Sequence, residues 1–127
     1  MDDLRACEIL NACYERLFSA PLYASACKVY RRLKTQSVSA QRDAESLSWE
    51  SVSVALNHLP VMFLEPDRPD CVQVVMGSGA AKLNPVVVEL FLADKIFCVT
   101  IWTKKGFLYQ KSAQKALEKI MQYVQQT

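Results

Sequence analysis

The residues best suited to chemistry in this sequence are its single histidine, His58, and five cysteines at positions 7, 13, 27, 71 and 98. A thiol enzyme needs a base beside its cysteine, and thiolate zinc sites need paired cysteines at short spacing. The five cysteines stand singly, and no spacing links any of them to His58. We therefore predict no catalytic activity, no metal site and no cofactor.

A second candidate for chemistry is the glycine-bearing segment 77–82, which follows an apolar run. Such a loop holds phosphate with backbone N–H groups when a helix begins directly after it. Here Asn84 and Pro85 follow too soon for that helix, and the spacing of a phosphate-binding loop is absent. We interpret the segment as a connection between strands.

Three carboxylates, Glu65, Asp67 and Asp70, cluster in a segment that also holds two prolines. Acid–base catalysis often uses a pair of carboxylates held at a fixed separation. Proline and aspartate together, however, are typical of an exposed turn. These carboxylates alone therefore indicate no active site.

Lysines dominate the end of the chain, where six of them accompany one acidic residue, Glu118, from position 95 onward. Lysines on a terminal helix are usually its solvated face, but a basic turn followed by a basic helix can also contact a phosphate backbone. An RNA-binding module is therefore our alternative functional prediction, with the contacts assigned to Lys104, Lys105, Lys111, Lys115 and Lys119.

Composition limits the class of protein. The chain has 127 residues, 51% of them apolar, and a net charge of +2, which is typical of a single globular domain. An odd number of scattered cysteines indicates free thiols in a reducing compartment. The acidic start lacks the features of a secretory signal, and charges interrupt the most apolar stretch, 86–102. We expect a soluble intracellular protein of the cytoplasm or nucleus, without membrane insertion.

The first third of the chain predicts helices and a linker. Apolar residues recur every three or four positions through residues 4–18 and again through 22–33, so residues 1–34 are expected to form a helical hairpin. Residues 35–46 are polar and lack periodicity, which indicates a linker. Residues 47–59 fit either a helix or a strand, and we favour a helix capped by Ser48 and ended by Pro60.

The remainder predicts strands and a final helix. Short apolar runs at 61–64, 71–76, 86–92 and 96–103 are separated by turn residues, and an amphipathic stripe begins near Ser112. We expect an α+β fold in which residues 47–127 form a helix, a three- to four-stranded antiparallel sheet and a C-terminal helix packed on it. Strand 96–103 carries bulky side chains on both faces, so it is either central in its sheet or covered by a partner.

The order of elements over residues 48–126 resembles a double-stranded-RNA-binding domain. Val88-Glu89-Leu90, residues 96–100 and Gln110-Lys111-Ser112-Ala113 are similar to that family's second and third strands and final helix. Family members that bind RNA carry further lysines where this chain has Gln110 and Gln114. The resemblance therefore implies a degenerate member that binds protein instead of RNA. A pleckstrin-homology-like end would give the same local pattern.

These observations lead to our main functional prediction, a non-catalytic interaction or adaptor module that binds protein partners, including a second copy of itself. We assign the interface to apolar residues of the first helix and of strand 96–103, namely Leu10, Leu17, Phe97, Val99, Ile101 and Trp102.

Overall fold

The computed structural model describes residues 1–17, 28–29, 32–43, 47–59, 61–68, 70–78, 84–93, 95–104 and 112–126. In these ranges the helices are α1 (Asp3–Leu17), α2 (Trp49–Asn57) and α3 (Ser112–Gln126). The strands are β1 (Thr35–Asp43), β2 (Val61–Phe63), β3 (Cys71–Ser78), β4 (Asn84–Ala93) and β5 (Ile96–Lys104). The predicted α+β class is confirmed.

The five strands form one antiparallel sheet in the order β1-β5-β4-β3-β2. Strands β2 to β5 follow one another as a meander, and each pairs with the next. Strand β1 joins from far away in the chain and pairs with β5 along its whole length, from Thr35 opposite Lys104 to Asp43 opposite Ile96. The two edges of the sheet are therefore β1 and β2.

Strand β1 corrects two predictions. The linker expected over residues 35–46 is wrong for residues 35–43, and the sheet has five strands where three or four were expected. The strand TQSVSAQRD carries few β-branched or aromatic side chains, and of these residues only Val38 and Ala40 pack against the core. Pairing with the apolar strand β5 sets its conformation, because strand formation depends more on neighbours than on intrinsic preference.

The second helix predicted for the N-terminal hairpin falls mostly outside the described residues. Within its range Lys28, Val29 and Arg32 are helical, and β1 begins shortly afterwards at Thr35.

The sheet buries side chains on both faces because successive residues of a strand point to opposite sides. On one face, which we call the two-helix face, α2 and α3 cover Val74, Val88 and Phe97. On the other, the α1 face, helix α1 packs Ala6 and Leu10 against a layer consisting of Val75, Val87 and Trp102. One layer of helices on each side explains the bulk on both faces of β5, which lies between β1 and β4.

Local signals explain several element ends. The hydroxyl of Ser48 accepts a hydrogen bond from the backbone N–H of Ser51, which confirms the predicted cap of α2. Gly77 and Ser78 belong to β3 and lie opposite Pro85 and Asn84, so the first two residues of the glycine-bearing segment are strand where a connection was predicted. Residues 79–82 of that segment lie outside the described residues. In the β4–β5 turn, Lys95 has a positive φ of 67°, a conformation that favours glycine.

Candidate functional site

The apolar residues assigned to a protein interface are buried inside this chain. Phe97, Val99 and Ile101 have no exposed surface and belong to the core under α2 and α3. Leu10 and Trp102 meet in the core under α1. The chain's own helices cover both faces of β5, so these five residues are core residues within this chain. Leu17 ends α1, and its side chain lies outside the described part.

The described lysines among those assigned to RNA differ in exposure. Lys104 is buried, and its Nζ donates to the carbonyl oxygen of Leu33 at 3.0 Å and to Sγ of Cys7 at 3.2 Å. Lys115 and Lys119 are exposed on α3. Lys105 and Lys111 lie outside the described residues. The ammonium of Lys104 is thus held inside the fold.

A polar network lies on the α1 face of β3 and β4, where Gln73 is directly opposite Glu89. Gln73 is 1% exposed and Glu89 8%. Nε2 of Gln73 donates to Oε2 of Glu89 and to Oδ1 of Asp67, both at 2.7 Å. Nη2 of Arg68 donates to Oε1 of Glu89 at 3.1 Å, and the amino group of Met1 donates to its Oε2 at 2.6 Å. The network thus joins β3, β4, the loop after β2 and the start of α1.

Charges in this network are compensated locally. The hydrogen bond from Gln73, followed by the positive charges of the amino group of Met1 and of Arg5, holds the pKa of Asp67 below its ordinary value of 3.8. The negative charge of Glu89 raises the pKa of Arg68. Asp67 therefore stays ionised beside Arg5. Glu89 has the amino group of Met1 and the guanidinium of Arg68 as its cationic partners, as a buried charge requires.

Three side chains of this network carry atoms that can bind a metal ion. Asp67, Cys71 and Glu89 each place one ligand atom within 4.8 Å of the others. The amide of Gln73 donates to all three, however, and Arg5 and Arg68 already pair with the two carboxylates. A divalent cation would have to displace these donors and add charge to a balanced site. We interpret the group as a structural network.

The sheet separates the histidine from the described cysteines. His58 ends α2 on the two-helix face, where its ring stacks on Tyr123 with centroids 6.4 Å apart. Cys71 and Cys98 belong to the opposite face by strand alternation, and Cys7 and Cys13 lie on α1. Within the part of the chain that is described, the geometry brings no cysteine to the imidazole. Cys27 lies outside that part.

Exposed apolar side chains mark the β2 edge of the sheet. Met62 is 41% exposed and Phe63 is 55% exposed, although both lie in a strand. The N–H of Leu64 donates to the carbonyl oxygen of Gln73 in β3, so by alternation the N–H and C=O of Phe63 point away from β3. We call Val61–Phe63 and its outward backbone groups the β2 edge.

The other edge has a different character. Strand β1 exposes Ser37, Ser39 and Gln41, and it ends on Arg42 and Asp43. Polar and charged side chains of this kind protect an edge strand against pairing with another chain. An apolar edge invites such pairing. The β2 edge is therefore the best candidate for an interaction surface.

Sequence reasoning missed both the polar network and the β2 edge. The network had a readable signal, because Gln73 and Glu89 interrupt two apolar runs that are expected to be neighbouring strands. No sequence signal predicted the exposure of Met62 and Phe63, because that exposure depends on which strand lies at the edge of the sheet.

Comparison with known proteins identifies no relative of this chain. No protein-family model matches the chain, and no curated protein or solved structure matches it. Among the described residues, no helix has the length and apolar character needed to cross a membrane.

Proposed function

We propose that this protein is a non-catalytic intracellular interaction module that binds an extended segment of a partner protein along the β2 edge. The observation that carries the proposal is the exposure of Phe63 and Met62 on a strand that ends the sheet. Strand addition to a sheet edge is a common mode of peptide recognition, in which backbone hydrogen bonds supply affinity and side-chain contacts supply specificity.

The geometry sets the expected contacts. The outward N–H and C=O of Phe63 are in position to bond to one residue of an added strand. The ring of Phe63 and the thioether of Met62 point to opposite faces of the sheet, so an added strand meets an apolar side chain on each face. The preferred segment therefore carries apolar residues on both of its faces.

Charge adds one further preference. Nη1 of Arg16, near the end of α1, lies 3.7 Å from Sδ of Met62 and is exposed. A partner segment that runs along β2 passes this guanidinium on the α1 face. We expect an acidic residue in the segment at that position, because a carboxylate can pair with arginine in a bidentate manner.

A second copy of the chain is a weaker candidate than a partner segment for binding at the β2 edge. The strand has three residues, so two β2 edges share few backbone hydrogen bonds. Stable interfaces bury on the order of 1,200–2,000 Å², which so short a strand does not supply without further contacts. Self-association, the other part of our functional prediction, is therefore an outcome that the experiment distinguishes.

The test is selection of peptides from a displayed random library on the full-length chain, followed by fluorescence anisotropy with the selected peptides. The decisive variant is Phe63→Pro, which removes the outward N–H but leaves the ladder to β3, since the bonding residues are Met62 and Leu64. We expect affinity to fall about tenfold or more, and we expect Phe63→Thr, which keeps the strand and removes the ring, to weaken binding as well.

Val54→Thr is the matched control, since Val54 is also an exposed apolar residue, 49% accessible, but lies on α2. Equal binding of the selected peptides by wild type and Phe63→Pro would overturn the proposal. Light scattering on the same proteins tests self-association. A dimer that Phe63→Pro leaves intact would also contradict the β2 edge as the interaction surface.

RNA binding remains the alternative, with support from Lys115 and Lys119 on the exposed side of α3. It is the weaker proposal because Glu118 lies between these lysines and Lys104 is buried. Binding to duplex RNA that weakens steeply with salt and disappears in the double variant Lys115→Glu/Lys119→Glu would favour RNA over protein.

A further inference from the structure

Cys7 and Lys104 form a pair in which a thiol is held beside an ammonium group. Nζ of Lys104, at the end of β5, lies 3.2 Å from Sγ of Cys7 on α1. Lys104 is 2% exposed and is fixed from the other side by the carbonyl oxygen of Leu33 at 3.0 Å. Cys7 itself is half-buried, so its sulfur remains accessible to a small reagent.

Two further side chains complete the surroundings of this sulfur. Nδ2 of Asn11, one helical turn after Cys7, lies 3.7 Å from Sγ. Its Oδ1 is enclosed and has no hydrogen-bond partner in the described structure. The hydroxyl of Thr35, at the start of β1, is the other neighbour. Three elements thus converge on one thiol.

The surroundings favour the ionised thiol. The neighbouring hydroxyl of Thr35, together with the hydrogen bond and positive charge of Lys104, holds the pKa of Cys7 below its ordinary value of 9.0 despite partial burial. On the same helix, burial raises the pKa of the Cys13 thiol. Thiolates are the nucleophilic form of cysteine, so the two thiols of α1 are expected to differ in reactivity.

We propose that Cys7 is a site of oxidation by hydroperoxides, with Lys104 as the residue that positions and activates its sulfur. The thiolate attacks one oxygen of hydrogen peroxide, so that an S–O bond forms and the O–O bond breaks. Sulfur is oxidised by two electrons to a sulfenic acid, and the departing hydroxide takes a proton from solvent to form water.

The location of the pair gives this modification a structural consequence. Cys7 and Lys104 join α1 to the ends of β1 and β5, and the added oxygen must be accommodated at that junction. The core under α1, which contains Leu10 and Trp102, lies close enough to this junction to change its packing when the oxygen is added. This junction and the β2 edge lie at opposite sides of the sheet, so oxidation of Cys7 does not require a partner at the β2 edge.

The experiment exposes the full-length, reduced chain to hydrogen peroxide with dimedone, which traps sulfenic acids, and measures labelling of each cysteine by mass spectrometry. We expect Cys7 to label faster than Cys98, the other half-buried thiol of the described chain, and much faster than Cys13. Lys104→Met should slow labelling of Cys7 by about three- to tenfold, and Lys104→Arg should retain most of the rate.

A second measurement covers the case in which Lys104→Met does not fold. The pH dependence of iodoacetamide alkylation in the wild-type chain reports the thiolate directly, and the midpoint for Cys7 should lie below the ordinary thiol value of 9.0. Labelling of Cys7 no faster than that of Cys13, or a Cys7 midpoint at or above the ordinary thiol value, would overturn the proposal. An unchanged Cys7 rate in folded Lys104→Met would refute the role of the lysine.

Discussion

Replacing Glu89 with glutamine is expected to lower the free energy of unfolding by at least about 2 kcal/mol. Glu89 lies in the middle of β4, is 8% exposed, and accepts hydrogen bonds from Gln73 at 2.7 Å and Arg68 at 3.1 Å. The substitution keeps the shape of the side chain and removes its charge. The measurement therefore isolates the electrostatic part of the network from packing.

Two of the three contacts of Glu89 set a lower bound on the loss, and the ion pair with the amino group of Met1 at 2.6 Å adds to it. The bond from Gln73 changes from a charge-assisted to a neutral hydrogen bond, a loss of about 1 kcal/mol. The pair with Arg68 is lost as an ion pair, and because the Arg68 side chain is 47% exposed its contribution is at most about 1 kcal/mol. A double-mutant cycle of Glu89→Gln with Arg68→Gln should give a coupling of less than about 1 kcal/mol for the same reason.

Urea unfolding followed by tryptophan fluorescence provides the assay, because Trp102 lies under α1 near this network and is 4% exposed. The slope of the transition should remain unchanged and its midpoint should fall. A loss smaller than about 0.5 kcal/mol, the range of ordinary surface substitutions, would refute the view that Glu89 organises the contact between α1, β3 and β4.

Two further predictions concern the loop after β2 and the β4–β5 turn. The pKa of Asp67 is lowered in the folded chain. Its contribution to stability is therefore present at pH values above the unfolded pKa, near 3.8, and is lost as the pH falls through the folded pKa. The melting temperature of Asp67→Asn should therefore depend less on pH between about 5 and 2 than that of wild type. Lys95→Gly should raise the free energy of unfolding by about 0.5–1 kcal/mol, because φ at this position is 67° and glycine adopts it without steric cost; a loss of stability in urea unfolding would contradict that reasoning.

Elements with strong local signals were predictable from the sequence. Helix α2 has a cap at Ser48 and an apolar stripe, and strands β3 to β5 are runs of β-branched residues. Strand β1 was not predictable, because its conformation comes from pairing with a strand about sixty residues away in the sequence. Local composition carries no information about such a partner.

The site residues show a similar division. Strand β5 lies between β1 and β4, and the sequence predicted a strand that is central in its sheet or covered by a partner, because both faces of β5 are bulky. It did not indicate that α1 covers one of them, so Trp102 and Leu10 were assigned to an interface with another molecule. Lys104 was assigned to a solvated turn by charge alone, although the structure buries it against Cys7 and Leu33.

The pairing of β1 with β5 has a consequence for how the chain folds. The hairpins from β2 to β5 close short loops, whereas Thr35 must find Lys104 across most of the molecule. Long loops cost more entropy to close and slow the folding step that needs them. We therefore expect the meander of β2 to β5 to form early and β1 to add last. Until β1 adds, the outer edge of β5 is unpaired. This edge is then the part of the folding intermediate most exposed to association with another chain.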